Sequence, residues 1–538
     1  MTVCEYIIEY LLKKGVKTVF AYPGANVLRL YAKLCESGIR VVLSRHEQGA
    51  IHAAAGYAKA TGKVGVCIAT SGPGATNLVT GIADANLDSA PLLVITGQVP
   101  SRYIGRDAFQ EADIMGITIP VTKHNYLVKD ADEVPRDLEE AWRIAGSGRM
   151  GPVLVDITSD LFDQQLPAEA FEFECLLPRE RKNLYPLEGC EDKIAEIISS
   201  SYRPLVLAGG GVVAAGASEA LREFCERSGI PCVVTMMGKA LSGAGFHKLL
   251  GMAGLHGTAE ANTALSQCDL LIAVGCRFSD RTVSDFEALG RSRTVIHCDI
   301  DPAELNKNLK VYLPVAADAG DFLNCLSSIA DGLTHEKKKL FGGWYEKKRE
   351  EDAISPEESI YLAINRYENE NPVSCIVTDV GTIQTKAARL ITVARERAYI
   401  TSGGLGAMGF GLPAAIGASF AMGDGGADEK SRAIVIAGDG GFQMTLQELC
   451  ILCECPVPVK IIVINNRTLG MVNDMESGRG GKYALGDYPD FSLLAKAYGV
   501  DAERTELCEG IHKKIGEFLA ADGSALLEII YNNSEVTQ

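Results

Sequence analysis

Residues 438–466 read GDGGFQMTLQELCILCECPVPVKIIVINN, and this stretch sets the fold class. It opens on Gly438-Asp439-Gly440, continues through an amphipathic segment, and closes on the apolar strand VKIIVI and the pair Asn465-Asn466. A preceding strand, Arg432 to Ala437, delivers Asp439 to a glycine turn. The second strand delivers Asn466 to the same edge of a parallel sheet. Ligands of open α/β sheets bind outside that carboxyl edge. A carboxylate and an amide oxygen are hard ligands, and they suit Mg²⁺, which completes its shell with phosphate oxygens and water. A plain strand–turn–helix, with Asp439 capping the helix and two asparagines ending a strand, accounts for the same residues and stays open at this point.

Outward from this stretch the pattern repeats. The strands VSCIVTDVG, RAIVIAG, VKIIVINN and ALLEIIY place an α/β domain over residues 357–538. Residues 1–170 alternate helices with KTVFAY, RVVLS, VGVCIAT, PLLVIT and GPVLVDI. Residues 191–335 do the same with PLVLAGG, PCVVTM, LLIAVG and TVIHCDID. Between them, residues 171–190 and the charged residues 336–356 read as linkers, the latter equally as an exposed helix. The expected fold is therefore α/β, three doubly wound parallel-sheet domains. A chain of 538 residues accommodates three at ~150 residues each.

Charge and composition narrow the function. Lys and Arg number 52 against 69 Asp and Glu, a net charge of −17, which argues against nucleic acid and anionic membranes as partners. No apolar run approaches the ~20 residues of a membrane helix. The first residues lack a signal peptide's pattern; Val3, Tyr6, Ile7, Tyr10 and Leu11 fit an amphipathic helix. Sixteen scattered cysteines point to a reduced, cytoplasmic protein. Cys450, Cys453 and Cys455 lack a second CxxC or a nearby His, so they read as core positions on the helix after GDG, ending at Pro456.

Other stretches carry chemistry. Glu47, in His46-Glu47-Gln48, follows the strand RVVLS and precedes an Ala-rich helix, Gly49 to Ala60. It favours the helix N-terminus through the macrodipole, and a partly desolvated Glu at a strand end can also hold a proton near neutral pH. SGPGATN, Ser71 to Asn77, is a tight loop whose amides can approach a ligand. LAGGGVVAAG, Leu207 to Gly216, departs from GxGxxG and is a weak nucleotide signal. TSGGLGAMGFGLPAAIG, Thr401 to Gly417, is dense enough in glycine to imply close backbone approach to something bound.

Taken in order, AYPGAN, SRHEQGAIHAAAGYAKATGK, ATSGPGATNLVTGIADA, ITGQVP, DAFQE, TKHNYLV, SGRMGPVLVDI, GLHGTAEAN, RFSDR, HCDIDPAE, TSGGLGAMGFGLPAAIGA, GDGGF and NNRTLGMV resemble the acetolactate synthase (acetohydroxyacid synthase) catalytic subunit, end to end. GDG followed some two dozen residues later by NN resembles the diphosphate–Mg²⁺ motif of thiamine diphosphate enzymes. The resemblance implies a pyrimidine-binding first domain, a central domain of FAD-binding type and a diphosphate-binding third domain. It implies that pyruvate is decarboxylated and its two-carbon unit transferred to a second 2-oxo acid, giving acetolactate for branched-chain amino acid biosynthesis. Glu47 takes the place of the glutamate that hydrogen-bonds the aminopyrimidine and promotes loss of the thiazolium C2 proton.

By the same resemblance Asp439, Asn466 and the carbonyl of Thr468 hold the metal. Pro23, Gly381, Thr382, Ile383 and Gly406, with Gly438, Gly440 and Gly441, contact the cofactor, and Met408 props it in its bent form. Gly24, Phe109, Gln110 and Met471 line the reaction pocket, and Arg281 meets the second substrate's carboxylate. Arg149, Gly209, Gly210, Leu255 and His256 fall on flavin positions, as do Gly275, Arg277, Asp299, Ile300 and Asp318. In this family the FAD is largely structural. From residue types alone, Arg277 and Asp280 read equally as a surface ion pair. The resemblance further implies a homodimer or homotetramer with active sites between chains, and it leaves open a small regulatory subunit.

Three positions depart from the pattern. Thr382-Ile383 replace the usual Gln-His donors, Ser159 replaces a lysine, and Met475 replaces a tryptophan beside the acceptor pocket. These departures keep two other readings open: a different thiamine diphosphate enzyme, such as a 2-oxo-acid decarboxylase or pyruvate oxidase, and a catalytically silent cofactor-binding paralogue.

Overall fold

Short runs of Val, Ile and Leu bounded by glycine and proline build the interior strands, buried on both faces as strands of a covered parallel sheet must be. The computed structural model describes residues 1–166, 183–241, 245–283, 285–345, 355–370, 372, 374–426, 431–475 and 489–531. Most of the expected linker 171–190 and part of 336–356 lie outside the described residues. Among the described residues the first sheet contains β1 (Thr18–Tyr22), β2 (Arg40–Leu43), β3 (Gly65–Ala69), β4 (Leu92–Gln98), β5 (His124–Val128) and β6 (Pro152–Thr158), in the order β2-β1-β3-β4-β6-β5. The second contains β7 (Pro204–Ala208), β8 (Cys232–Val234), β9 (Leu249–Met252), β10 (Leu270–Val274), β11 (Thr294–Asp299) and β12 (Leu313–Ala316), in the order β12-β11-β10-β7-β8-β9. The third contains β13 (Cys375–Thr378), β14 (Tyr399–Ile400), β15 (Ala433–Gly438), β16 (Val459–Asn465), β17 (Asp501–Glu506) and β18 (Ala525–Ile530), in the order β14-β13-β15-β16-β18-β17. The pairings within each sheet are parallel.

The first and third sheets share one strand order when each is counted from its own first strand. Counted likewise, the second sheet follows the dinucleotide-binding order, with its switch point between β7 and β10. The expected three-sheet α/β fold is present.

Two small-residue helices, Glu47–Thr61 and Gly411–Asp424, join the first and third domains in one core. A Cβ on Gly56 would overlap the Ala414 carbonyl oxygen, and one on Gly417 would overlap that of Ala53. Each glycine forgoes about 0.5–1 kcal/mol of helix stability relative to alanine, and backbone-to-backbone packing offsets it. Several glycines of Thr401–Gly417 thus approach protein rather than a ligand: Gly411 packs on Asp379, and Gly404 on Leu87 and Asp88.

The N-terminal helix runs Val3–Lys13, closed by a Thr2–Glu5 capping box. Residues 335–345, at the edge of the second expected linker, begin with the helix His335–Gly343, whose Phe341 is buried in the core of the central domain. No described helix is long and apolar enough to cross a membrane. The cysteine expectation needs correction. The helix ends at Glu454, Cys453 is exposed, and Cys450 and Cys455 are only part-buried, because Leu449, Ile451 and Leu452 take the inward face.

Candidate active site

One group of predicted residues gathers at the carboxyl edge of the first sheet. His46 caps the helix Glu47–Thr61, its ring accepting the Gln48 N–H at 3.0 Å, so Glu47 is the first helical residue. Glu47 thus sits at the helix N-terminus and is buried, at 7% exposure. Asn77, from the SGPGATN loop, donates to Glu47 Oε2 at 3.0 Å, which leaves Oε1 facing Gly74. Gly24 and Gly74 both close on the Thr70 side chain, where a Cβ on either would collide. Gly72 closes on the Gln110 backbone, and Gln110 itself has φ +62°. Phe109 is 88% exposed. Ser159 Oγ donates to Asn26 Oδ1 at 3.2 Å, and Asn26 donates to Ser71 Oγ at 2.7 Å. The position that carries a lysine in the resembled pattern is here tied into the loop network.

A second group gathers at the carboxyl edge of the third sheet. Asp439 begins the helix Asp439–Thr445 directly after β15. Its Oδ1 accepts the Gly440 N–H at 2.8 Å, whereas Oδ2 is buried without a hydrogen-bond partner among the described residues. Burial raises this carboxyl above its ordinary value, and the backbone amides of Gly440, Arg467 and Thr468 oppose the rise. The Asn pair divides its work. Asn465 turns inward and donates to Glu528 Oε1 at 2.7 Å, and Asn466 begins the loop beyond β16, its Oδ1 accepting the Thr468 N–H at 3.2 Å. Gly470 lies between Asn466 and Thr382, bringing Thr382 to the same loop. The helix Thr382–Leu390 points its first turn there from Gly381, at φ +121°. Ile383 is buried in the core, so its backbone N–H is what this residue offers an anion. Met408 is half-buried and Gly406 exposed, the latter at φ +72°.

Sequence reasoning missed Asp379, on which this edge is built. Wholly buried, it accepts the N–H groups of Val380 and Gly409 on Oδ1 and of Gly411 on Oδ2, at 2.8–3.0 Å. Gly441 packs against the same carboxylate. One buried Asp thus ties the start of the helix Gly411–Asp424 to the GDG turn. Its signal was present: Asp379 follows a strand directly and stands two residues before Gly381, much as Asp439 follows a strand and precedes Gly440.

A cavity of about 760 Å³ lies where the three domains meet. Arg149, Gly210, His256, Gly275, Arg277, Asp299, Ile300 and Asp318 line it, as do Arg281, Gly406 and Met471. Gly209 and Leu255 do not. The glycines of LAGGG pack backbone to backbone across the β7–β10 switch point, Gly209 and Gly211 against Gly275. Arg149 bridges domains, donating to Glu304 at 2.6 Å and to Ser89 at 3.0 Å. Burial raises the Asp299 carboxyl to about 6, and burial with the Arg281 charge lowers His256. Asp280 pairs with Arg281 at 3.7 Å rather than with Arg277. Lys59, Asp88 and the Thr401 carbonyl form the junction beside the cavity: Lys59 Nζ meets Asp88 at 2.7 Å and Thr401 O at 2.8 Å. Neither Glu47 nor Asp439 lines this cavity within one chain.

Comparison with known proteins follows the three sheets. The thiamine pyrophosphate enzyme N-terminal TPP binding domain matches residues 1–117, the central domain residues 192–326, and the C-terminal TPP binding domain residues 379–529. A probable acetolactate synthase large subunit of Methanocaldococcus jannaschii is 40% identical, over 99% of this chain and 92% of that protein. The acetolactate synthase isozyme 2 large subunit of Escherichia coli K12 is 39% identical over 99% and 96%. The chain belongs to the acetolactate synthase large-subunit family. A chloroplastic acetolactate synthase 2 of Zea mays, 40% identical over 99% of this chain and 85% of its own length, places plant enzymes in the same family. The two regions matched by TPP binding domains contain the first and third sheets, whose carboxyl edges carry these two groups.

Proposed function

We infer that the chain is a thiamine diphosphate-dependent carboligase that decarboxylates pyruvate and adds the remaining two-carbon unit to a second 2-oxo acid, forming acetolactate in branched-chain amino acid biosynthesis. The observation that carries the site assignment is Asp439 Oδ2, buried without a hydrogen-bond partner among the described residues, beside the Asn466–Thr468 loop. A desolvated anionic oxygen without a hydrogen bond is costly unless a cation meets it. Asp439, the Asn466 amide oxygen and the Thr468 carbonyl would hold Mg²⁺ against the cofactor's diphosphate. Gly381, Thr382 and the Ile383 amide, with Gly438, Gly440 and Gly441, would border the phosphates, and Met408 the thiazolium ring.

Thiamine diphosphate supplies, when bound, the carbon nucleophile that no side chain has. Glu47 would meet a ring nitrogen of the cofactor through Oε1, the oxygen not taken by Asn77, and would exchange a proton with it. Pro23, Gly24, Phe109 and Gln110 would shape the substrate end, and Met471 and Arg281 would receive the second 2-oxo acid and its carboxylate. These groups come from both ends of the chain, and the exposed Phe109 calls for a surface that one chain does not give it. The site is therefore assembled between two chains, in a homodimer or a tetramer of such dimers. The name large subunit, borne by two of the relatives above, implies a smaller chain in the assembly as well.

The three-domain cavity and the dinucleotide-type strand order support FAD there, between Arg149 and the β7–β10 switch point. The polar lining that would meet it is His256, Arg277, Asp299 and Asp318, with Gly210, Gly275 and Ile300 as backbone and wall. A purified holoenzyme is expected to show flavin absorbance. The reducing cytoplasm suits the free cysteines, and domain limits at residues 1–170, 191–335 and 357–538 suit the three sheets.

Product analysis tests the reaction. Supplied with pyruvate, thiamine diphosphate and Mg²⁺, the enzyme is expected to release one CO₂ for each acetolactate formed. Free acetaldehyde would mark a decarboxylase; acetate or acetyl phosphate with a reduced acceptor would mark an oxidase. Acceptor choice is tested in the same assay with equal pyruvate and 2-oxobutyrate. Met475 ends the helix Gly470–Met475, and its side chain lies outside the described residues. A flexible Met packs an extra methyl loosely, and a well-shaped pocket would gain roughly 10–200-fold from it. The expected product is mainly acetolactate, and Met475→Trp should raise the share of acetohydroxybutyrate. A strong parental preference for acetohydroxybutyrate would refute this.

A further inference from the structure

Beyond the groups that meet cofactor and substrate, one buried carboxylate touches the turn that carries Glu47. Glu448 is wholly buried and lies in the 3₁₀ turn Leu446–Glu448, just after the GDG helix of the third domain. The Arg45 N–H, in the first domain, donates to both of its oxygens at 3.1 Å. The His46 amide also faces it. The Arg45 guanidinium is turned elsewhere, onto Glu454 and the Leu43 carbonyl. Gly49 lacks a side chain where Glu448 stands, since a Cβ there would overlap its carboxylate. Burial raises the Glu448 carboxyl to about 7, against the pull of these amides.

A buried carboxylate is costly to hold, and an apolar side chain of similar size would be a cheaper filler between two domains. What the carboxylate does that a filler could not is accept the backbone N–H groups leading into the helix Glu47–Thr61, which have no partner within that helix. We propose that Glu448 is a positioning residue for Glu47: from the third domain of the same chain, it fixes the Arg45–His46 turn and so sets where the Glu47 carboxyl enters the active site. This rests on the role given to Glu47 above. Displacing a reacting group by about 1 Å costs on the order of 10²-fold in rate. Glu448 therefore affects proton transfer without touching cofactor or substrate. It also joins the segment that begins with Asp439 to the turn that presents Glu47.

Glu448→Gln, Glu47→Gln and the double variant test this in the full-length holoenzyme. Three quantities are read: thiamine diphosphate affinity by calorimetry, C2–H/D exchange of the bound cofactor by quenched-flow NMR, and Tm. Glu448→Gln is expected to slow exchange about 10–100-fold, with affinity unchanged within a few-fold and Tm nearly unchanged. In the Glu47→Gln background it is expected to add nothing, because it acts through that residue. Parental exchange in Glu448→Gln would overturn the proposal. So would an exchange defect that merely follows lost Tm and lost cofactor, or defects that multiply in the double variant. Should Glu448→Gln not fold, Glu448→Asp, which withdraws the carboxylate from Arg45 by one methylene, carries the same comparison. Parental exchange in Glu47→Gln alone is a separate result, and it would remove the role of Glu47 itself.

Discussion

Glu47→Gln is expected to bind thiamine diphosphate nearly as tightly as the parent enzyme and to turn over about 10²–10⁴-fold more slowly. Gln keeps the shape and can still accept the Asn77 hydrogen bond, found here at 3.0 Å. It cannot, however, give up and regain a proton on the oxygen that faces Gly74. The loss therefore falls on kcat and on C2–H/D exchange rather than on binding. Parental exchange with weakened binding would leave Glu47 only its place at the helix N-terminus.

Asp439→Ala is expected to do the reverse, losing the cofactor while keeping the fold. Mutating even an outer-shell partner of a metal typically costs 10–100-fold in affinity, so losing a direct ligand should cost about 100-fold or more. The apo protein should not be less stable. The carboxylate is 6% exposed, and burial raises its pKa, so without a cation its charge is a burden. The same shift gives the pH dependence its sign: protons compete for Oδ2 as pH falls, so metal affinity weakens toward acid. Calorimetry with Mg²⁺ and thiamine diphosphate, alongside Tm of the apo form, checks both statements. Parental affinity would contradict the anchor.

The sheets were legible because interior strands are apolar on both faces: VKIIVI, PLVLA and LLIAV need no partner to be recognised. The strands that went unread, β5, β9, β12, β14 and β17, are all at sheet edges. There one neighbour is missing and the apolar run breaks, as in DAERTE of β17, whose residues are largely exposed. Asp439, Asn466 and Glu47 were legible because each comes just after an apolar strand. Asp379 carried the same signal and went unread. Glu448 carried none, since its meaning depends on the Arg45 amide some four hundred residues earlier, reached only through interdomain packing. Glycine density misled in part. In the Thr401–Gly417 stretch and in LAGGG, many glycines yield to another backbone or to a buried Asp. Cys450, Cys453 and Cys455 misled for a related reason, since apolar residues between them take the buried face.

The account turns on Glu47 and Asp439 of different chains forming one active site, and mixing two inactive variants tests it most directly. Glu47→Gln and Asp439→Ala chains are dissociated, mixed in equal amounts and reassociated, and acetolactate formation is measured. In a two-fold dimer half the assemblies are mixed, and each mixed dimer holds one site with both residues intact, so about a quarter of parental activity should return. Activity no greater than that of the separate variants, with mixed dimers demonstrably present, would place both residues in one chain's own site and contradict the account.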